Sequence, residues 1–272
     1  MSKTLFEGRT DVRLASAKGL EKLGGSDALP ALERALKGEQ DAAVKLSVID
    51  ALGATKSPKA LQALRFMVTN NDLEIKRHTL QAIRHIGLAE GAQALDVLFR
   101  DRNAQIQWLA FLTAMEIKPD VGLKNIKTAL RNPPDTYMED IQSIRGANAQ
   151  RQVFEYLLTQ TTGSTQSDAI RYALTQGGFD DTLRKLALDA NVSTGDRRAI
   201  FLAFADGGNA ADRAVLERAV RATDSKALAQ LAAWLLVRNP SADLEPSFRG
   251  YLGQKDVAIK ALALYGIAAA NR

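Results

Sequence analysis

Apolar residues recur along the chain at fixed offsets, with a period of about 31 residues. Successive units start at the pairs Val12-Arg13, Val44-Lys45, Ile75-Lys76 and Ile106-Gln107. Eight residues after these starts come Leu20, Leu52, Ile83 and Ala114, and twenty residues after them come Leu32, Leu64, Leu95 and Ile126. Stacked repeats require such columns, because each unit buries its apolar face only against its neighbours.

Each unit predicts two helices. In the third unit, one face of a first helix carries Ile75, Thr79, Ala82, Ile83 and Ile86 at helical spacing. Gly87 then ends this helix, because glycine readily adopts the left-handed conformation of a helix C-terminus. The second helix of the same unit is expected to bury Ala92, Leu95, Leu98 and Phe99.

The period persists to the end of the chain, although the pattern is weaker after residue 131. First helices are predicted to start near residues 10, 42, 73, 104, 135, 166, 195, 226 and 256. The sequence therefore predicts an all-α fold, an α-solenoid built as a curved superhelix of stacked antiparallel helix pairs, with about eight repeats plus a terminal helix. It predicts one domain over residues 1–272, regular in 10–131 and more divergent in 132–272.

The stretch "DVRLASAKGLEKLGGSDALPALERALKGEQ" and the two units after it resemble the HEAT-like repeat superfamily, in its short phycobilisome-lyase-type form. The resemblance rests on D-x-V-R-like openings, A-L-G at the end of the first helix and A-L-x-x-L in the second. The tetratricopeptide and ankyrin signatures are both missing. The resemblance implies a concave side lined by second helices that serves mainly as a binding surface.

Composition narrows the function further. The chain has no cysteine, which excludes disulfides, cysteine-type zinc sites and a thiol nucleophile. No apolar run reaches the length of about 18 residues that a membrane span needs. The stretch "MSKTLFEGRT" shows no secretory signal, so the cytoplasm is the expected compartment, and the periplasm stays open if the chain is a segment. The net charge of +5 allows an acidic partner without requiring one.

The two histidines and two tryptophans are assigned to structure. His78 and His85 stand seven residues apart, which separates them by about 10.5 Å along a helix. One metal ion needs helical ligands three or four residues apart, so both histidines are predicted to fill grooves between neighbouring repeats. Trp108 and Trp234 lie inside apolar first helices and are predicted to pack in the core.

No catalytic constellation is visible. The phosphate-binding loop, the serine nucleophile elbow and the H-E-x-x-H zinc motif are all absent. The paired carboxylates Glu139-Asp140 and Asp180-Asp181 fall in predicted first turns of helices, where negative charge complements the helix dipole. The protein is therefore predicted not to be an enzyme and to use no cofactor and no metal. The resemblance still leaves a lyase-type or glycosylase-type enzyme as an alternative.

Basic residues recur on the predicted second helices. The predicted partner-binding residues are Arg34, Arg65, Arg100, Lys127, Arg131, Arg184, Arg218 and Arg249. Acidic residues interrupt this row: Glu33, Asp96, Glu155 and Glu217. We expect a scaffold that binds a partner protein or peptide, with nucleic acid as the alternative. Nucleic acid is not favoured, because no aromatic residues alternate with the cations to stack bases.

Both ends of the chain predict apolar surface. Leu5 occupies the same repeat position as Leu36, so residues 1–9 resemble the tail of a second helix. The last helix carries Ile259, Leu262, Leu264 and Ile267, and solenoid ends normally have a polar cap. Two explanations remain open: the chain is a segment of a longer solenoid, or a partner covers its ends.

Overall fold

The computed structural model describes residues 2–6, 8–207 and 209–270. These ranges contain α-helices and short 3-10 segments, and they contain no β-strand. The chain divides into two compact units, Met1–Val153 (unit 1) and Phe154–Arg272 (unit 2). In the same ranges, no helix combines the length and the apolar character that crossing a membrane requires.

Unit 1 consists of helical hairpins. Its α-helices are α1 (Thr10–Leu23), α2 (Leu29–Gly38), α3 (Ala42–Ala54), α4 (Pro58–Arg65), α5 (Leu73–Ile86), α6 (Ala104–Ile117), α7 (Pro119–Ala129) and α8 (Tyr137–Gln142). Its 3-10 segments are Thr4–Phe6, Ser26–Ala28, Ala89–Ala94 and Leu98–Arg100. The next helix, α9 (Ala147–Gln160), carries the chain into unit 2.

Unit 2 has the same organisation. Its α-helices are α10 (Gly163–Gln176), α11 (Asp180–Leu186), α12 (Thr194–Gly207), α13 (Ala210–Ala222), α14 (Lys226–Arg238), α15 (Glu245–Tyr251) and α16 (Val257–Ala270), with one 3-10 segment at Ala242–Leu244. The predicted starts at 10, 42, 73, 104 and 226 coincide with the first residues of α1, α3, α5, α6 and α14. The other predicted starts lie within three residues of the helices observed.

First helices stack on first helices in chain order within each unit. In unit 1, α1 packs on α3, α3 on α5 and α5 on α6, while α2 packs on α4. In unit 2, α10 packs on α12, α12 on α14 and α14 on α16, while α13 packs on α15. This repeat-by-repeat packing confirms the predicted all-α class and the stacked helix pairs of an α-solenoid. The single domain over residues 1–272 stays a prediction.

The regular helix starts have a common local cause. Asp41, Asp72 and Asn103 precede α3, α5 and α6, and each side chain accepts a hydrogen bond from a backbone N–H of the first turn. Such a cap satisfies N–H groups that the helix itself leaves without a partner. The capping residues before α3, α5 and α6 therefore help to set where these three repeats begin.

The second element of the third repeat differs from the prediction. Residues 89–100 form two 3-10 segments instead of one α-helix. Gly91 is buried here, and a Cβ at this position would lie 2.9 Å from Ile83 Cγ2. Glycine, aspartate and valine all have low helix propensity, and Gly91, Asp96 and Val97 occur close together. The predicted apolar positions are still buried, so the burial pattern was right and the helix type was wrong.

Charged residues link consecutive repeats at the start of their first helices. Arg13 donates to Glu39 at 2.9 Å, and Lys76 forms an ion pair with Asp101. Each acid stands just before the first helix of the following repeat. The instance with the most buried cation is in unit 2, where Arg197 is 1% exposed and donates to Asp224 at 2.6 Å. The hydrogen bond from Arg197 lowers the pKa of Asp224 below its usual range.

Candidate interaction surface

The predicted cations of unit 1 lie on the exposed side of its second helices. Arg34 and Arg65 belong to α2 and α4, Arg100 ends the second 3-10 segment of the third repeat, and Lys127 and Arg131 lie in and just after α7. All five side chains are exposed. We call the exposed side of residues 29–38, 58–69, 89–100 and 119–131 the second-helix surface of unit 1.

These cations have no carboxylate partner among the described residues. The Arg34 guanidinium lies 4.0 Å from the centroid of the Phe6 ring, and Arg65 donates to Gln93 Oε1 at 2.7 Å. For Arg100, Lys127 and Arg131, no side-chain hydrogen bond or ion pair is found within the described ranges. Their charge is therefore available to an external group.

The predicted cations of unit 2 are in a different situation. Arg184 forms ion pairs with Asp212 at 2.7 Å and with Asp181 at 2.8 Å. Arg249 pairs with Glu245 at 2.6 Å. Arg218 is exposed, and no such pair is found for it in the described part of the chain. Most of the predicted charge in unit 2 is thus balanced within the fold itself.

An apolar hollow of about 450 Å³ lies on the second-helix surface of unit 1, between α2 and the end of α4. It is lined by Glu33, Leu36, Lys37, Gln62, Ala63, Phe66 and Met67. Phe66 follows the last residue of α4, and its side chain is 75% exposed. Covering a phenylalanine of this kind contributes about 1.5–3 kcal/mol, so the hollow is suited to an apolar side chain of a partner.

Sequence reasoning missed Phe66, although a signal was present. Phe66 occupies the same repeat position as Arg34 and Val97, twenty-two residues after the start of each unit. Arg34 alone marks this column as exposed, because an unpaired arginine is almost never buried. An aromatic residue in an exposed column is a candidate for binding.

Structural roles were predicted for the two histidines and the two tryptophans, and two of these four predictions are confirmed. Trp108 is buried, and its Nε1 donates to Asp140 Oδ2 at 2.8 Å. His78 Nδ1 lies 2.8 Å from Asp50 Oδ1, which joins α5 to α3 of the neighbouring repeat as predicted.

The other two predictions are wrong. His85 is exposed in the last turn of α5 and fills no groove. Trp234 is 44% exposed, and the Arg238 guanidinium lies 5.5 Å from the centroid of its ring. The cause is the composition of α14, whose sequence "KALAQLAAWLLVR" is apolar at almost every position. Periodicity therefore could not indicate which apolar side chains of α14 face inward.

Both acidic pairs lie in first turns of helices, and one member of each pair bonds to another side chain of the fold. Glu139 and Asp140 lie in the first turn of α8, and Asp180 and Asp181 lie in the first turn of α11. Asp140 accepts from Trp108, and Asp181 pairs with Arg184. In the described ranges, no three His, Asp or Glu side chains are grouped so that they could hold a metal ion.

Residues 4–84 match the family model for HEAT repeats. No curated protein matches the chain. Among solved structures, an engineered protein is 17% identical with a TM-score of 0.39, covering 100% of this chain and 88% of that one. The complex of CpcE and CpcF of phycocyanin lyase from Nostoc sp. is 14% identical with a TM-score of 0.40, covering 99% and 92%.

Human deoxyhypusine hydroxylase is also 14% identical, with a TM-score of 0.39 and coverage of 99% and 94%. At such identities and scores, these three likenesses say nothing about activity. The family match lies within the part of the chain whose repeat columns are regular. The matched residues 4–84 contain α1 to α4 and most of α5, and the match agrees with the resemblance that the sequence pattern predicted.

Proposed function

We propose that the protein is a non-enzymatic scaffold that binds a partner protein or peptide on the second-helix surface of unit 1. The exposed Phe66 beside the apolar hollow is the observation that supports this function. Arg100, Lys127 and Arg131 add charge that no described carboxylate neutralises. An apolar anchor point with a polar, charged rim is the usual anatomy of a protein-binding site.

Nucleic acid fits this surface less well. Binding of single strands uses several aromatic side chains on which successive bases stack. The second-helix surface of unit 1 presents one exposed aromatic ring, Phe66, within its described residues. Acidic side chains, including Glu33 and Asp96, also lie among its cations.

The test is affinity capture with the full chain and two variants. Phe66→Ser removes the anchor at an exposed position, so the folded state should lose less than about 0.5 kcal/mol. Leu23→Ser is the matched control, because Leu23 is 70% exposed at the end of α1, outside the second-helix surface. We expect the unmodified chain and Leu23→Ser to retain the same partner and Phe66→Ser to lose it, with captured proteins quantified by mass spectrometry.

Circular dichroism and thermal melting of both variants establish that the fold is intact. Equal recovery of every captured protein by Phe66→Ser and by the unmodified chain would show that the hollow is not the binding site.

A further inference from the structure

We infer that the partner segment is acidic, adopts an extended polyproline II-like conformation, and inserts one bulky apolar side chain into the hollow. This inference rests on the proposed function and names the chemistry of the partner. It combines three observations on unit 1: the lining of the hollow, the excess of positive charge on the second helices, and the spacing of that charge along the repeats.

The hollow selects an apolar anchor. Leu36, Ala63, Phe66 and Met67 supply an apolar lining, while Lys37 and Glu33 stand at its polar edge. Methionine and phenylalanine adapt to several shapes of apolar side chain, because the thioether is flexible and the aromatic ring offers a broad face. Leucine, methionine or phenylalanine of a partner would fit a hollow of about 450 Å³.

The charge around the hollow selects an acidic segment. The second-helix surface of unit 1 contains eight lysines and arginines but only four aspartates and glutamates. The corresponding helices of unit 2, α11, α13 and α15, contain six cations and five carboxylates. Several cations of unit 2 are neutralised by ion pairs such as Arg184–Asp212. The positive charge that would complement an acidic partner therefore lies in unit 1.

The repeat spacing selects the conformation of the segment. Arg100 and Arg131 hold the same position in the third and fourth repeats, and Lys37 holds it in the first. The 3-10 segment Leu98–Arg100 packs on α7, and helices packed side by side are about 8–10 Å apart. A polyproline II segment advances about 3.1 Å per residue with three residues per turn, so side chains three residues apart lie about 9.3 Å apart on one face. Carboxylates with this spacing would meet Arg100 and Arg131.

A helical partner would give a different pattern. In an α-helix, the side chains on one face that are closest to this spacing are seven residues apart, separated by about 10.5 Å. The partner's acidic spacing therefore distinguishes the two conformations. Because the hollow lies between the first and second repeats, the carboxylates should also stand on one side of the apolar anchor in the partner sequence.

The experiment is a selection of random 16-residue peptides displayed on phage against the full chain, followed by counter-selection on Phe66→Ser. We expect Phe66-dependent clones to share one bulky apolar residue and acidic residues three apart on one side of it. A synthetic peptide of the consensus sequence should bind Arg100→Glu/Arg131→Glu at least about tenfold more weakly than the unmodified chain, and its affinity should fall with salt.

The matched control is Lys18→Glu/Lys22→Glu, which makes the same change in charge on exposed residues of α1 and should keep the affinity within about twofold, because distant exposed charges are screened. A Phe66-dependent consensus that is neutral or basic, or whose acids are seven apart, would overturn the inference and leave the proposed function standing. If no recovered clone depends on Phe66, both fail.

Discussion

A single buried carboxylate joins three parts of unit 1. The side chain of Glu116, near the end of α6, is 4% exposed, and it accepts from Arg84 of α5 and from the backbone N–H of Arg145 at 3.1 Å. Burial alone would raise the pKa of Glu116, but the hydrogen bonds from Arg84 and Arg145 outweigh it. The pKa of Glu116 therefore lies below its usual range, and the ionised form is the one that stabilises the fold.

We expect Glu116→Gln to weaken the dependence of stability on acid pH. A carboxylate whose pKa is lower in the folded state stabilises the protein above its unfolded pKa of about 4.3. That stabilisation is lost as the pH falls through the lower folded value. Urea unfolding of the variant should therefore show a clear loss of stability at pH 7 and a shrinking difference from the unmodified chain as the pH approaches 3.

Glu90→Gln is the control for this pH profile, because Glu90 is exposed and has no partner in the described ranges. Its unfolding midpoint should follow that of the unmodified chain at every pH. A Glu116→Gln profile that stays parallel to that of the unmodified chain down to pH 3 would contradict the assigned role of Glu116.

At the scale of elements, the close packing of α3 on α5 depends on Gly53. A Cβ at this position would lie 2.8 Å from Ala82 Cα, which belongs to the backbone of α5 and cannot rotate away. Gly53→Ala should therefore force the two helices apart and cost about 1–3 kcal/mol, although alanine is the better helix former. Chemical denaturation of the full chain, monitored by circular dichroism, measures this cost.

Gly38→Ala separates this effect from helix propensity. Gly38 is the last residue of α2, and nothing lies within 4 Å of a Cβ placed there. We expect this variant to be neutral or more stable by up to about 1 kcal/mol. A gain of stability for Gly53→Ala of the same size would show that α3 and α5 are not in such close contact.

The elements that could be predicted from the sequence are those with two independent local signals. Helices α3, α5 and α6 combine an apolar column with a capping residue, Asp41, Asp72 or Asn103, and their starts were predicted to the residue. Residues 89–100 carry the apolar column, but Leu88 before them provides no side-chain cap, and there the predicted helix type was wrong. The ion pair between Arg13 and Glu39 joins residues that stand 26 apart in the sequence, and it was not predicted. Columns of apolar residues alone do not reveal which charges meet across repeats.

At the scale of the whole molecule, the positions of the charged residues say more about binding than the net charge does. The net charge of +5 is modest for 272 residues. In unit 2, Arg184 and Arg249 are neutralised by ion pairs and add little positive charge to its surface. The repeat positions placed Arg34 and Arg249 in one set of predicted partner-binding cations. Arg249 and Glu245 stand four residues apart on α15, which is an ion-pair spacing visible in the sequence, but the comparison of repeat positions did not consider neighbours on the same helix.

The same distribution of charge predicts weak binding of nucleic acid. Affinity for duplexes comes largely from phosphates neutralised by cations, and nonspecific proteins reach only about 10⁻⁴–10⁻⁶ M at physiological salt. Acids such as Asp96 lie among the cations of the second-helix surface of unit 1, and Phe66 is the one exposed aromatic ring among its described residues. A gel-shift assay with the full chain near physiological salt should therefore show no submicromolar binding to duplex or single strands. Submicromolar binding that Arg100→Glu/Arg131→Glu abolishes, with helical content unchanged, would favour a nucleic-acid partner over the proposed protein partner.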